Sequence, residues 1–395
     1  MQILKLQMNN FRSFKEKIIE FSPKTTIIVG PNTSGKTNII EAIYLLSCGK
    51  SFRVRIEEEM VSYDEEIARV KGAIIEDVVD LESGLSEIKK QGTNLEVVLT
   101  RGEVTIGENP EKIEKVVRKK LLINGVGKRL VDFSGIYKIV LFGPWDMDLV
   151  TDSPSIRRRF LDSVLSQVDR EYRRASLSYE KGLRQRNKLL WQIREYSIAH
   201  PVHSGRARLL FWDKLLIKNG DYISRKREEF IEFVNNSQLS IFNISPSLMS
   251  QAKSRESQFS LEYDKSAISE SRLEQYANEE IAAATTLVGP HRDDFIFKIR
   301  NTKREIRNEH ELARYGSRGE QRMGVLWLKM AELAFIKEKT GENPTLLLDD
   351  IFSELDHEHR EIVMDLVKGQ QTIITTADPH FIEGFKKVEK IQLKA

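Results

Sequence analysis

The sequence predicts an α/β protein whose phosphate-binding core is assembled from both ends of the chain, with a mostly helical arm inserted between them. Three observations predict it. A glycine loop, Gly30-Pro31-Asn32-Thr33-Ser34-Gly35-Lys36-Thr37, stands between the apolar run Thr26–Val29 and a helical pattern, Asn38–Leu46. Far away in sequence, Thr345-Leu346-Leu347-Leu348-Asp349-Asp350 reads as a strand buried on both faces and ending in two carboxylates. Between them, the stretch from about 165 to 283 has helical periodicity but no sustained heptads, which excludes a long coiled coil.

Taken in order, Ile3 to Phe11 and Ile18 to Val29 read as short strands that lead into the glycine loop. Strand, loop, Lys-Thr and helix is the arrangement that wraps backbone N–H groups around phosphates. Gly30 and Gly35 let the backbone approach an anion without a Cβ in the way. Lys36 supplies a cation for the β and γ phosphates, and Thr37 supplies a hydroxyl for Mg²⁺. Gly30 to Asn38 is therefore the candidate nucleoside-triphosphate site. The bland alternative is a glycine turn that happens to carry Lys-Thr, and the eight-position match with its flanks argues against it.

The stretch from about 57 to 140 alternates polar and apolar residues, as in Leu95-Glu96-Val97-Val98-Leu99, and predicts a small antiparallel sheet. Ile156 to Ile198 and Ala207 to Phe242 are helical by periodicity. Ser237 to Ser271, rich in Ser and Asn, predicts loops with short elements. From Thr285 onward αβ patterning returns, with helices over 320–340 and 357–368 and strands over 345–349, 371–376 and 388–394. The expected organisation is a core part over 1–164, an arm over 165–283 and a second core part over 284–395.

Asp349 and Asp350 sit at the carboxyl end of a core strand, where α/β proteins bind ligands. Asp349 is the candidate Mg²⁺ ligand. Asp350 either orients the attacking water or caps the next turn. Ser317-Arg318-Gly319-Glu320 makes a capping box at a helix start. That box is either a helix cap alone or, with Gly319 and Gln321, an anion site at a helix N-terminus.

Composition narrows the class. The chain has 395 residues, one cysteine (Cys48) and a net charge of +3. One cysteine excludes a disulfide framework. No apolar run reaches ~18 residues, so a membrane span is not expected, and a cytoplasmic protein is. Charge is uneven: Glu57 to Lys115 holds sixteen acidic and seven basic residues, whereas Thr151 to Ser240 holds eighteen basic and eleven acidic. Either one surface approaches phosphodiesters, or the two faces are simply solvated.

The order of landmarks resembles the ABC-type ATPase heads of the SMC and DNA-repair class, and within it the RecF family of bacterial recombination mediators. Those landmarks are Asn10–Phe14, Gly30–Ala42, Gly49–Arg53, Leu149–Val150, Pro154, Arg157–Asp162 and Gln185–Asn187. Gly289-Pro290-His291-Arg292-Asp293-Asp294 and Tyr315–Asp356 complete the set. The resemblance implies an SMC-like head fold and a slow, DNA-stimulated ATPase using ATP and Mg²⁺. It implies a homodimer closed by ATP, each nucleotide clamped between Lys36 of one protomer and Ser317 of the other. Arg12 would touch the nucleotide, and Asp356 would lie in a loop crossing the dimer interface. The implied partners are double-stranded and gapped DNA, bound without sequence preference, and RecR- and RecO-like proteins. The candidate DNA contacts are Lys50, Arg53, Arg55, Arg157, Arg158, Arg173, Arg174, Arg184 and Arg186, although Arg157 to Arg159 could instead pair with Asp162. The loop from Gly289 to Asp294 is either a metal site or, by resemblance, a coupling loop. The sequence departs from the family at Thr33, where glycine is usual, and at Glu320, where glutamine is frequent. Thr375-Thr376 stands where many ABC proteins carry a switch histidine, and no Q-loop glutamine is evident. An ATPase working with a nuclease is the alternative function; about twenty residues follow Thr375, too few for a nuclease domain.

Overall fold

The structure is a computed structural model. It describes every residue except 55, 80–87, 106–112, 200–204, 238–256, 302–308, 354–359, 362, 365–366, 379, 381–387 and 395. The chain forms two compact units. One comprises Met1–Asp146 and Glu332–Ala395, with Asn243–Met249 outside the described residues; the other comprises Met147–Phe242 and Ser250–Ala331.

In the first unit, β1 (Gln2–Phe11), β2 (Phe14–Glu20) and β3 (Thr25–Val29) precede α1 (Lys36–Cys48). Strands β4 (Ile67–Val79), β5 (Ile88–Thr100), β6 (Glu103–Thr105), β7 (Ile113–Lys115), β8 (Lys119–Ile123), β9 (Val126–Lys128) and β10 (Ile139–Phe142) follow. The antiparallel sheet expected over 57–140 is larger than the sequence pattern suggests. It recruits the N-terminal hairpin into six strands, in the order β2-β1-β4-β5-β8-β9. Its alternating apolar residues, among them Ala68, Val70, Leu95, Val97 and Leu99, are fully buried with Ile39, Ile40 and Ile43 of α1. Gly72 lets α1 sit close, since a Cβ there would stand 2.6 Å from Leu46.

The second sheet of this unit is parallel. Its order is β10-β14-β15-β3-β16, with β14 at Thr345–Asp349, β15 at Thr372–Thr376 and β16 at Glu389–Gln392. Every residue of β3, β10, β14 and β15 is buried, as continuous apolar runs require of a doubly covered sheet. β3 lies between β15 and β16, pairing Thr25 with Thr372 and Thr26 with Glu389. Residues from the two chain ends thus share one sheet, as expected. Of the helix expected over 357–368, residues 357–359, 362 and 365–366 lie outside the described set.

The second unit is helical with a three-stranded sheet, β11 (Ser257–Asp264), β12 (Asp294–Asn301) and β13 (Glu309–Glu311). The helix expected from Ile156 to Ile198 is two helices, α2 (Pro154–Val168) and α3 (Arg170–Ala199), broken at Asp169. The Asp169 carboxylate accepts the Tyr172 N–H at 2.9 Å and the Tyr222 hydroxyl at 2.8 Å, so it caps α3 and ties it to α4 (Leu210–Asn236). Within the stretch expected to be loops with short elements, Ser257–Asp264 is a strand because its alternating Phe259 and Leu261 are buried beside β12. The chain passes between the units within α6 (Arg318–Thr340), which follows α5 (Ala277–Ala283).

Candidate active site

The loop from Gly30 to Gly35 leaves β3 and enters α1 at the carboxyl edge of the parallel sheet. Gly30 has no room for a side chain: a Cβ would lie 2.6 Å from Ser34 Oγ and 2.9 Å from Leu393 Cβ. Gly35 takes a φ of 91° and lies against the Phe14 ring, so glycine is required twice over. Thr33 holds a φ of 74°, an unusual conformation for a β-branched residue. A glycine at this position would relax the loop.

Lys36 is buried and folds back on the loop, donating to the Gly30 carbonyl at 2.7 Å and the Pro31 carbonyl at 2.9 Å. Burial lowers its pKa, an effect partly offset by Asp350 and Asp349. Asp349 ends β14, next to Thr375 of β15. Thr375 donates its hydroxyl to Asp349 Oδ1, and Thr37 also hydrogen-bonds that carboxylate. Burial nevertheless pushes the Asp349 carboxyl up from its usual range, and Asp350 adds to the push. Asp350 turns through a φ of 51° and donates its N–H to the Thr375 carbonyl at 3.1 Å. Lys36, Thr37, Asp349 and Asp350 are thus gathered at one sheet edge. Thr375 anchors the strand-end carboxylate, a role that sequence reading did not assign.

These residues fit a nucleoside triphosphate with Mg²⁺. The Ser34 hydroxyl is buried in the loop and has no protein partner. Gly30 and Gly35 exclude side chains from the cradle, while Thr37 and Asp349 form the hydroxyl–carboxylate pair that suits a hard cation.

Beside α1, a cavity of about 540 Å³ is lined by Arg12, Ser13, Asn38, Val61, Tyr63 and Arg101 among others. Arg12 is held by Glu41 of α1 through two bonds, Nε to Oε2 at 2.9 Å and Nη2 to Oε1 at 2.7 Å. Its Nη1 donates to the Glu59 carbonyl at 2.7 Å. Asn38 donates to Ser13 at 3.0 Å and accepts from Arg53 at 2.9 Å. Sequence reading missed Glu41, because its charge gives no sign of which cations reach it.

The capping box forms: Glu320 Oε2 accepts the Ser317 N–H at 2.8 Å, and Ser317 Oγ accepts the Glu320 N–H at 3.2 Å. Ser317, Arg318 and Gly319 are exposed. The Gln321 amide turns back onto its own loop, 3.4 Å from the carbonyls of Leu312, Ala313 and Gly316. Asp356 lies outside the described residues.

The DNA-contact candidates divide sharply. Arg186 is 2% exposed and pairs with Asp213 at 2.6 Å and Glu280 at 2.7 Å, so it cannot face a duplex. Arg157 is buried and grips Asp294 through two bonds at 2.7 and 2.9 Å, not the helix neighbour Asp162. Arg158 is half-buried and donates to the Asp293 carbonyl at 2.9 Å, and Arg173 donates to the Ser166 carbonyl. Arg186 and Arg157 are corrections; Arg158 and Arg173 keep part of their surface exposed. Arginine charge is legible in sequence, whereas the distant carboxylates and carbonyls that consume it are not. Arg174 and Arg184 are exposed, each paired along α3 with Glu171 or Glu180. Lys181 and Lys188 of α3 and Lys214 and Lys218 of α4 are also exposed and were missed. Lys50 and Arg53 are exposed, and Arg55 lies outside the described residues.

Asp293 accepts from Arg227, Ser224 and Tyr263 and from the Ser266 N–H. Its lone pairs are therefore committed to donors, which overturns the metal reading of the Gly289–Asp294 loop. Among the described residues no cluster of His, Cys, Asp and Glu suits a metal ion, and no helix is long and apolar enough to cross a membrane.

Comparison with known proteins agrees with this geometry. Residues 2–395 match the model of the RecF/RecN/SMC N-terminal domain family. The DNA replication and repair protein RecF of Lachnoclostridium phytofermentans is 32% identical over 99% of this chain and 97% of its own. That of Halalkalibacterium halodurans is 34% identical over 96% and 93%. A solved structure of the recombination mediator protein RecF-ATP of the RecFOR pathway matches with a TM-score of 0.78 and 28% identity, over 97% of this chain and 93% of that one.

Proposed function

Because the chain belongs to the RecF family, within the SMC and ABC-type ATPase class, we propose that it is an ATP-hydrolysing recombination mediator that closes as a dimer on DNA. The observation that carries this reading is the gathering of Lys36, Thr37, Asp349 and Asp350 at the ends of β3 and β14. In this reading the loop N–H groups and Lys36 bind and orient the triphosphate. Thr37 and Asp349 hold Mg²⁺, and Asp350 orients the attacking water. The metal supplies charge neutralisation at the transferring phosphoryl group when bound. Arg12, at the edge of the cavity, contacts the nucleotide.

The exposed Ser317 corner supports a shared site, in which it meets a neighbour's nucleotide. A γ-phosphate would add charge-assisted hydrogen bonds across the interface, and hydrolysis would remove them. The exposed Lys50, Arg174, Lys181, Arg184, Lys188, Lys214 and Lys218 are the candidate phosphodiester contacts. Sequence-independent binding of duplex and gapped DNA through them would weaken steeply with salt. Slow turnover, and loading of recombinase with RecR- and RecO-like partners, complete the reading. Light scattering with ATP, Mg²⁺ and gapped DNA tests it. A dimer that forms with ATP, dissociates as ATP is consumed and is lost in Ser317→Ala is expected. A monomer under all conditions at micromolar protein overturns it.

A further inference from the structure

Glu41 is fully buried, yet it carries a charge on the helix that begins the phosphate site. It sits one turn beyond Asn38, on α1. Two guanidiniums and a hydroxyl converge on its carboxylate: Arg12 by the two bonds given above, Ser51 Oγ on Oε1, and Arg53 Nη1 on Oε2 at 3.4 Å. A buried carboxylate is costly unless it is paired and hydrogen-bonded, and here it is both. The arrangement is lopsided. Arg12 is 16% exposed and gripped by Glu41 at two points, whereas Arg53 is 41% exposed and divides Nη1 between Asn38 at 2.9 Å and Glu41 at 3.4 Å. Two guanidiniums share one buried carboxylate, and Glu58 and Glu59 line the cavity beside them.

Arg12 alone could not keep this position. It occupies a tight turn between β1 and β2, at a φ of 54°. Its backbone is pinned by its own N–H to the Met60 carbonyl and by the Ser62 hydroxyl on its carbonyl. Nothing in those backbone bonds fixes the direction of its side chain. Glu41 does, by a two-point grip on the Nε–Nη2 edge, while the Glu59 carbonyl takes Nη1. The rest of the guanidinium lines the 540 Å³ cavity with Ser13 and Asn38. Two-point guanidinium–carboxylate contact sets orientation as well as distance.

We propose that Glu41 is a positioning residue for nucleotide binding, acting through Arg12: its buried carboxylate holds the Arg12 guanidinium in the orientation in which it meets the nucleotide held by the α1 loop. The inference rests on the ATP site of the preceding section. It assigns to α1 a second task, one turn after Lys36 and Thr37, which is to aim a cation that comes from a different strand pair.

A double-mutant cycle on ATP affinity separates this from a purely structural role. Affinity of the full chain for a fluorescent ATP analogue with Mg²⁺ is measured for the wild type, Glu41→Gln, Arg12→Gln and the double variant, with melting curves for each. If Glu41 works through Arg12, each single change weakens binding about tenfold, and the double variant is no weaker than Arg12→Gln alone. Independent, multiplicative losses overturn the proposal, as does wild-type affinity in Glu41→Gln. Should Glu41→Gln fail to fold, Glu41→Asp serves, since it keeps the charge but withdraws the carboxylate. Weakened binding with an unchanged melting curve is then expected, and unchanged binding refutes the idea. A wild-type chain that binds no nucleotide would instead defeat the ATP site itself, an outcome distinct from all of these.

Discussion

Asp349 carries its charge in a setting that disfavours charge: it is buried, Asp350 is its neighbour, and only hydroxyls and Lys36 offset the cost. In the unliganded protein this is a standing destabilisation, tolerated because the same carboxylate serves the metal. Asp349→Asn should therefore stabilise the nucleotide-free core by about 1 kcal/mol at pH 7, since Oδ1 still accepts from Thr375 while the desolvated charge is gone. The same change should lower Mg²⁺-dependent hydrolysis by about a hundredfold or more. Melting without nucleotide and phosphate release with it check the two signs together. A variant both less stable and less active would mean that Asp349 is structural. The residue was legible in sequence because a carboxylate ending an apolar strand has few other reasons to be there. Glu41 and Thr375 were not legible, because their importance comes from partners that only the folded chain brings near. Arg186 shows the converse: its charge suggested an open surface, and Glu280, ninety-four positions away, is what it meets.

Helix α6 begins on the capping box that the spacing of Ser317 and Glu320 announces, and cap chemistry is local enough to be read directly. Helix α3 was harder, because a continuous apolar period runs through Asp169 and hides the break. There the capping carboxylate, not the apolar pattern, decides where one helix ends. The strand at Ser257–Asp264 was hidden too, since a polar stretch conceals a few alternating apolar residues whose burial depends on β12. At the start of α6, Glu320→Ala should raise hydrogen exchange of the Ser317 amide by roughly fivefold, an effect of ~1 kcal/mol. Glu320→Gln should leave it near wild type, because glutamine completes the same box. Amide exchange followed by mass spectrometry reads both. Equal protection in all three proteins would show that the Glu320 side chain does not hold the corner that Ser317 presents.

One buried titratable group in each compact unit responds to acid with the opposite sign. In the second unit, the His291 Nε2–H donates to the Thr286 carbonyl at 3.0 Å, which leaves Nδ1 to accept from Tyr179 at 2.8 Å. Both ring nitrogens are used by the neutral imidazole, and burial lowers the pKa from 6.5 to about 4. The unfolded chain therefore binds a proton at a pH where the folded unit does not. The stability this histidine protects is complete above pH 6.5 and is lost as pH falls toward 4, by roughly 3 kcal/mol in all. In the first unit the sign is reversed. The raised Asp349 carboxyl takes up its proton before the unfolded chain does, so acidification relieves its buried charge. That the core would be shared by both chain ends was legible, because its strands are apolar and local; this divergence was not, because it depends on burial. Urea unfolding at pH 7 and pH 5 should then show two transitions drawing apart as pH falls. The one carrying Trp191, Trp212 and Trp327 should move to lower urea, and the one carrying Trp145 should hold or rise. His291→Gln, which cannot titrate, should reduce the movement of the first. If that variant shifts between the two pH values as much as wild type does, another group governs the acid sensitivity, and the neutral histidine bridging Tyr179 and Thr286 is not what sets it.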